Sequence, residues 1–278
     1  MMRTIKVFIL ASLTLLSAGL TATAQQTTDW ASLVKNLSGK DAAVREATFK
    51  QWIDQIMPKL CSEKDTLLIA DIPGLLAQFA QKEDIARLQV SALLGVIGNC
   101  RSDSAAVLAE AIPTLIDRAE NDSFARIRLN SVRTLADLKP EIPATVVPVL
   151  VRVMHGHEAI LAAVATYGIA REVKPGSQAE DLVGEVLSQK NPGIQKKAAM
   201  NALVSQRVTD PVLMKRLGDV LMDPDVTVVK AALNAISHLG DAAITPNRAQ
   251  LASLAQNSTD SDIVRTAKQL LERDANSH

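Results

Sequence analysis

The chain has 278 residues, 47% hydrophobic but only 3% aromatic, and its 30 basic residues balance 30 acidic ones. Zero formal charge removes the long-range attraction on which a nucleic-acid or anionic-membrane binder depends. A single globular core of this length would carry more Phe, Tyr and Trp, so the Ala/Leu/Val-rich composition points to stacked helices that touch only their neighbours.

Residues 1–24 read as an export signal rather than fold. Arg3 and Lys6 precede an apolar run, 7–16, that is short and interrupted by Ser and Thr, unlike a membrane span. Ala22-Thr23-Ala24 is a small-x-small cleavage site, which makes Gln25 the first mature residue. No Cys follows the run, which argues against a lipid anchor. Removing Arg3 and Lys6 from the 30 basic residues leaves 28 against 30 acidic, a mature charge of −2. The expected product is periplasmic or secreted, with no later stretch apolar enough to insert in a bilayer.

From residue 30 onward the chain alternates a first helix (A), a turn and a second helix (B). The A helices are expected at 30–37, 66–81, 104–120, 141–154, 178–189, 211–222 and 246–256. The B helices are expected at 41–60, 84–97, 123–138, 158–173, 193–204, 225–239 and 260–273. Aligning the B helices on the first apolar residue of their inward stripe selects Val44, Ala86, Ile127, Ile160, Ile194, Val228 and Ile263. These anchors recur at intervals of 33 to 42 residues. Such a period belongs to a helical-repeat array. The units fall at about 28–62, 63–100, 101–139, 140–175, 176–207, 208–241 and 242–274, in one domain over 25–278.

Asp223 to Gly240, DPDVTVVKAALNAISHLG, is the clearest unit: an acidic turn, an apolar stripe with small residues at Ala231, Ala232 and Ala235, and a glycine stop. Three A helices share a proline followed by x-Leu-aliphatic, at Pro73, Pro113 and Pro148, each expected to bend a helix interior. Acidic turns precede basic B-helix starts in five units: Asp41 and Arg45, Asp84 and Arg87, Asp122 and Arg128, Asp225 and Lys230, Asp262 and Arg265. An Asp there caps its helix and complements the dipole, and the cation is placed to reach the Asp of an adjacent turn. The expectation is a ladder of charges along one edge. Unit four lacks the basic residue after Ile160, which leaves a gap.

The proline-bearing A helix, the Asp-rich turn, Val/Ile-Arg and Ala-x-x-Ala-Leu-x-x-Leu-Gly resemble HEAT and HEAT-like repeats. VLMDPDVTVVKAALNAISHLG carries the resemblance best, followed by ARLQVSALLGVIG and IRLNSVRTLADL. Tetratricopeptide repeats share the spacing, but their Trp, Tyr and Phe positions are absent here. The resemblance implies an all-α, right-handed alpha-solenoid of about seven stacked antiparallel helix pairs, armadillo/HEAT-like, with the B helices on the concave face.

In such a stack, Cys61 and Cys100 each follow the B helix of adjacent units, at one edge of the array. Neighbouring packed helices lie about 8–10 Å apart, and loops leaning together would bring the Cα atoms within bridging range. A disulfide is expected; the alternative is two free thiols whose registers miss.

No nucleophile elbow, paired-His helix, phosphate loop or calcium loop is present. His155-Gly-His157-Glu158 is the densest group of potential ligands, but it lies in a turn without a further His or Cys, and it reads as a solvated turn. Lys196-Lys197 and Lys215-Arg216 read likewise as solvated helix faces. No catalytic residue, metal or cofactor is implied. The resulting expectation is a non-catalytic scaffold or adaptor of the cell envelope or exterior that binds a protein or peptide on its concave helix-B face, without nucleic acid. The alternatives are a HEAT-like enzyme of lyase type and a structural spacer in an envelope assembly.

Overall fold

The computed structural model describes residues 29–62, 72–80, 84–188 and 190–276. The expected export signal lies outside them, as do residues 66–71 and 81 of the expected second A helix. Every regular element among the described residues is helical.

Helix α1 (Trp30–Ser38) is followed by α2 (Ala42–Gln51), a π-helical turn over Trp52–Ile56 and α3 (Met57–Leu60). Next come α4 (Ile72–Phe79) with α5 (Asp84–Cys100), and the short α6 (Ser104–Val107) with α7 (Ile112–Asn121) and α8 (Ala125–Ala136). Helices α9 (Val147–Met154) and α10 (Ala159–Arg171) form the next pair, then α11 (Gln178–Val186) and α12 (Gly193–Ser205). The last elements are α13 (Pro211–Val220), α14 (Val226–Leu239), α15 (Asp241–Ile244), α16 (Arg248–Asn257) and α17 (Ser261–Asn276).

Packing follows chain order. Each A helix lies against its own B helix, and the B helices form one continuous layer, α5 on α8, then α10, α12, α14 and α17. The molecule is an all-α solenoid whose contacts are nearly all between neighbours.

Two of the three prolines do not bend helix interiors. Pro113 and Pro148 each occupy the second position of their helices, α7 and α9, while the residues before Ile72 that would place Pro73 in its helix lie outside the described ones. An N–H in the first turn has no intrahelical acceptor, so proline costs nothing there and its fixed φ suits the start. The long A helices expected at 104–120 and 141–154 therefore begin late, at Ile112 and Val147.

Three of the seven anchors are also off by a face. Val44, Ile160 and Ile194 are 41%, 58% and 43% exposed, whereas Ala86, Ile127, Val228 and Ile263 are buried. In α10 and α12 the inward position is one residue later, at Leu161 and Gln195, both buried. Gln195 holds a core position because its side-chain amide donates to the Met154 carbonyl at 2.8 Å. Counted from Ala86, Ile127, Leu161, Gln195, Val228 and Ile263, the fourth residue onward is Val90, Ser131, Ala165, Ala199, Ala232 and Ala267, all fully buried. These small side chains let adjacent B helices approach closely. At Gly168 a Cβ would come within 2.6 Å of the Ala136 Cβ, so α8 and α10 meet almost backbone to backbone.

The first pair departs from the pattern. Helix α1 buries Trp30, Leu33, Val34 and Leu37 and packs on both α4 and α5. Helix α2 buries only Thr48, and its Val44 and Phe49 face solvent. The π turn rephases the helix so that Trp52 and Ile56 return to the core.

Candidate functional site

Asp side chains build the edge where A turns into B. Asp41 accepts from the Ala43 and Val44 amides, Asp122 from Phe124, Asp225 from Thr227, and Asp260 from Asp262 and Ile263. Each satisfies helix-start N–H groups that have no other intrahelical partner.

Cations of one B helix reach the next turn at four places. The Arg87 guanidinium lies 2.6 Å from Asp84 and 3.2 Å from Asp122. Arg128 reaches Glu158 at 2.7 Å, and Lys230 reaches Asp260 at 2.9 Å and Asp262 at 3.5 Å. Lys196 meets Asp223 at 2.5 Å. Lys196 was expected on a solvated face, yet its side chain is 1% exposed. The one-residue register shift explains this: counted from Gln195, Lys196 occupies the position of Arg87 and Arg128. Lys215 is exposed and Arg216 pairs with Asp219 on its own helix.

Two expected members stay within their own turn. Arg45 donates to the Gly39 and Lys40 carbonyls, because α1 rather than α2 forms the main contact with the second pair. Arg265 pairs with Asp262 at 2.7 Å, and among the described residues no helix pair follows it. The gap at unit four persists, since Leu161 and Ala162 follow Ile160 where other units place a cation. There the Gln195 contact with Met154 ties the turns instead.

At the opposite edge the structure places Cys61 and Cys100 in bonding contact, with Cα atoms 5.3 Å apart across 39 residues of sequence. One residue further on, the buried Arg101 donates to the Ser62 carbonyl at 2.7 Å and forms a two-point pair with Asp103. That guanidinium holds the Asp103 carboxyl below the usual range. Two parallel ties therefore join the end of the first pair to the end of the second. The Arg101 tie was missed: an Arg-x-Asp in a loop has no periodicity to announce burial.

His155 and His157 are exposed in their turn, and among the described residues no three potential metal ligands cluster. His238 contacts the Asn234 carbonyl through Nδ1 at 2.8 Å. Among the described residues no helix is long and apolar enough to cross a membrane.

The corrected register defines the open side of the B layer. Six residues beyond each inward position stand Ala92, Arg133, Tyr167, Asn201, Asn234 and Gln269, all exposed except the half-buried Tyr167. One residue later, Leu93, Thr134, Gly168, Ala202, Ala235 and Leu270 are all buried. The exposed row is rich in amides and poor in charge.

Where α3, α5 and α8 meet, this side sinks into a groove of about 450 Å³. Its floor is Ala92, Gly95 and Val96 of α5, with Met57 and the two cysteines at one end and Asn130, Arg133 and Asp137 along the far wall. Ala92 and Gly95 add little bulk to the lining, and a Cβ at Gly95 would face the buried Thr134 hydroxyl of α8 at 3.4 Å. Sequence reading did not find this groove, which is assembled from three helices far apart in the chain.

No protein-family model matches the chain, and no curated protein matches it in sequence. Among solved structures it resembles the X-ray structure of YibA from Escherichia coli at 15% identity and a TM-score of 0.52, covering 88% of this chain and 93% of that one. A designed armadillo repeat protein in complex with the peptide (KR)4 matches at 14% identity and a TM-score of 0.38, over 89% of this chain and 100% of that one. At this identity the likeness to YibA is one of fold alone.

Proposed function

We propose that this chain is an exported, HEAT-like, non-catalytic scaffold that binds a protein partner along the open side of its helix-B layer. The observation that carries the reading is the row from Ala92 to Gln269: one solvent-facing position per B helix, backed at the next residue by a buried core. A row that carries three amides and a single charge suits an extended polypeptide, whose backbone offers donors and acceptors at every residue. The edge ladder is internally paired, so it supports the stack rather than offering free charge to a ligand.

Photo-crosslinking in the producing cell tests the proposal. A crosslinker at Asn201 or Asn234 is expected to capture a discrete protein partner, while one at Lys215, on an A helix, is not. Equal capture from both sides would overturn the assignment of the face. N-terminal sequencing of the exported form, expected to begin at Gln25, tests the address separately.

A further inference from the structure

We infer that the groove between α3, α5 and α8 is a subsite for a carboxylate-bearing segment of a polypeptide, with Arg133 as its anchor and the Ala92–Gly95–Val96 floor as the seat of an adjacent aliphatic side chain. This rests on the reading of the open B side as the binding face and specifies what one part of it takes.

The charge balance of the groove carries the assignment. Two charged side chains line it, Arg133 and Asp137. Asp137 is already engaged: Arg171 lies 3.8 Å from its carboxylate, and the Asn99 amide lies 3.5 Å from it. Arg171 is itself anchored by donating to the Ala136 carbonyl at 2.8 Å. Arg133 has no such partner among the described residues, and it is exposed on the wall. The groove is left with one uncompensated guanidinium, a fork that matches a carboxylate in two parallel hydrogen bonds.

The remaining geometry fits a peptide rather than a free small anion. Asn130, which lines the groove, donates one side-chain N–H to Ser91 Oγ at 2.9 Å and keeps its Oδ1 as an acceptor that a backbone N–H could use. The floor offers no charge and no bulk, and a volume of about 450 Å³ is that of a site for a few residues rather than a single ion. Met57 and Val96 are half-buried and line the apolar part.

The carboxylate has two sources, a chain terminus or an acidic side chain. Isothermal titration of the full mature protein with three peptides separates them: Ac-Gly-Ser-Ala-Leu with a free C-terminus, the same peptide amidated, and Ac-Gly-Ser-Leu-Glu-Ser-Ala-amide. At least one carboxylate peptide is expected to bind about tenfold or more tightly than the amidated one, the size of one charge-assisted pair. Which of them binds names the source. Arg133→Gln is expected to erase that preference, and Ala92→Leu, at an exposed lining position, to weaken binding while circular dichroism stays unchanged. Equal affinity for the amidated peptide, no effect of Arg133→Gln, or no binding of any peptide at millimolar concentration would overturn the subsite. Crosslinks from Asn201 and Asn234 that persist after such a failure would leave the binding face standing and remove only this groove from it.

Discussion

Lys196 and Asp223 form a buried ion pair, with 2.5 Å between Nζ and Oδ2 and side chains 1% and 7% exposed. The pair ties the start of α12 to the turn before α14, and Asp223 also accepts from the Asp225 amide. Lys196→Met would leave that carboxylate buried without its cation, a loss of about 3–5 kcal/mol in urea unfolding. Its sequence neighbour Lys197 is half-buried and donates to Thr227 Oγ1, a neutral partner. Lys197→Ala is expected to cost less than about 1 kcal/mol. Equal losses would show that the two lysines share one environment.

The cysteines should report as a bridge. Closing a loop of this length corresponds to about 4 kcal/mol in the chain-entropy account. Thiol titration of the unfolded, unreduced protein is expected to find no free thiol, and the Cys61→Ser, Cys100→Ser double variant to unfold at lower urea. Two free thiols per chain, at monomeric mass, would dismiss the bridge.

The shifted register makes an opposite pair of predictions within one layer. Ile160→Ser and Ile194→Ser alter exposed positions and should change stability by no more than about 0.5 kcal/mol. Leu203→Ala, at a fully buried position of α12, should cost about 2–5 kcal/mol. Thermal denaturation of the three variants decides whether the inward face begins at Gln195 or at Ile194.

Gly168→Ala sets two effects against each other. Alanine improves helix propensity by ~1 kcal/mol, but its Cβ would overlap the Ala136 Cβ and Cα, at 2.6 and 2.9 Å. Both obstacles belong to a packed helix and neither is a flexible chain end, so the overpacking cost of about 1–3 kcal/mol prevails. A variant with a raised melting temperature would mean that α8 and α10 move apart at little cost.

Burial pushes the Glu172 carboxyl above its ordinary value, against a backbone hydrogen bond from Ile142 and the charge of Arg171. The folded chain thus holds this proton more tightly than the unfolded one. The contribution is present below the unfolded value of about 4.3 and is lost as pH rises through the folded value. Glu172→Gln, which keeps an acceptor for Ile142, is expected to raise the melting temperature at pH 7 and to lose that advantage near pH 4. A variant no more stable at pH 7 than the parent would count against burial as the cause.

The sequence by itself determined the architecture. Alternating apolar stripes with Asp turns and small residues specify helix pairs that bury their faces only against neighbours, and Asp225 through Gly240 contains that whole logic in one unit. Local signals also placed the caps, because an Asp and the amides two and three residues beyond it are close in the chain. Tertiary structure alone decided which face of each B helix points inward. In α12 the apolar Ile194 lies outside while Gln195 and Lys196 lie inside, since a buried amide and a buried cation are stable only with partners, Met154 and Asp223, contributed by neighbouring units. The groove had the same origin. Its floor, wall and free guanidinium come from α5 and α8, and Arg133 becomes an uncompensated charge only once Arg171 of α10 has engaged Asp137.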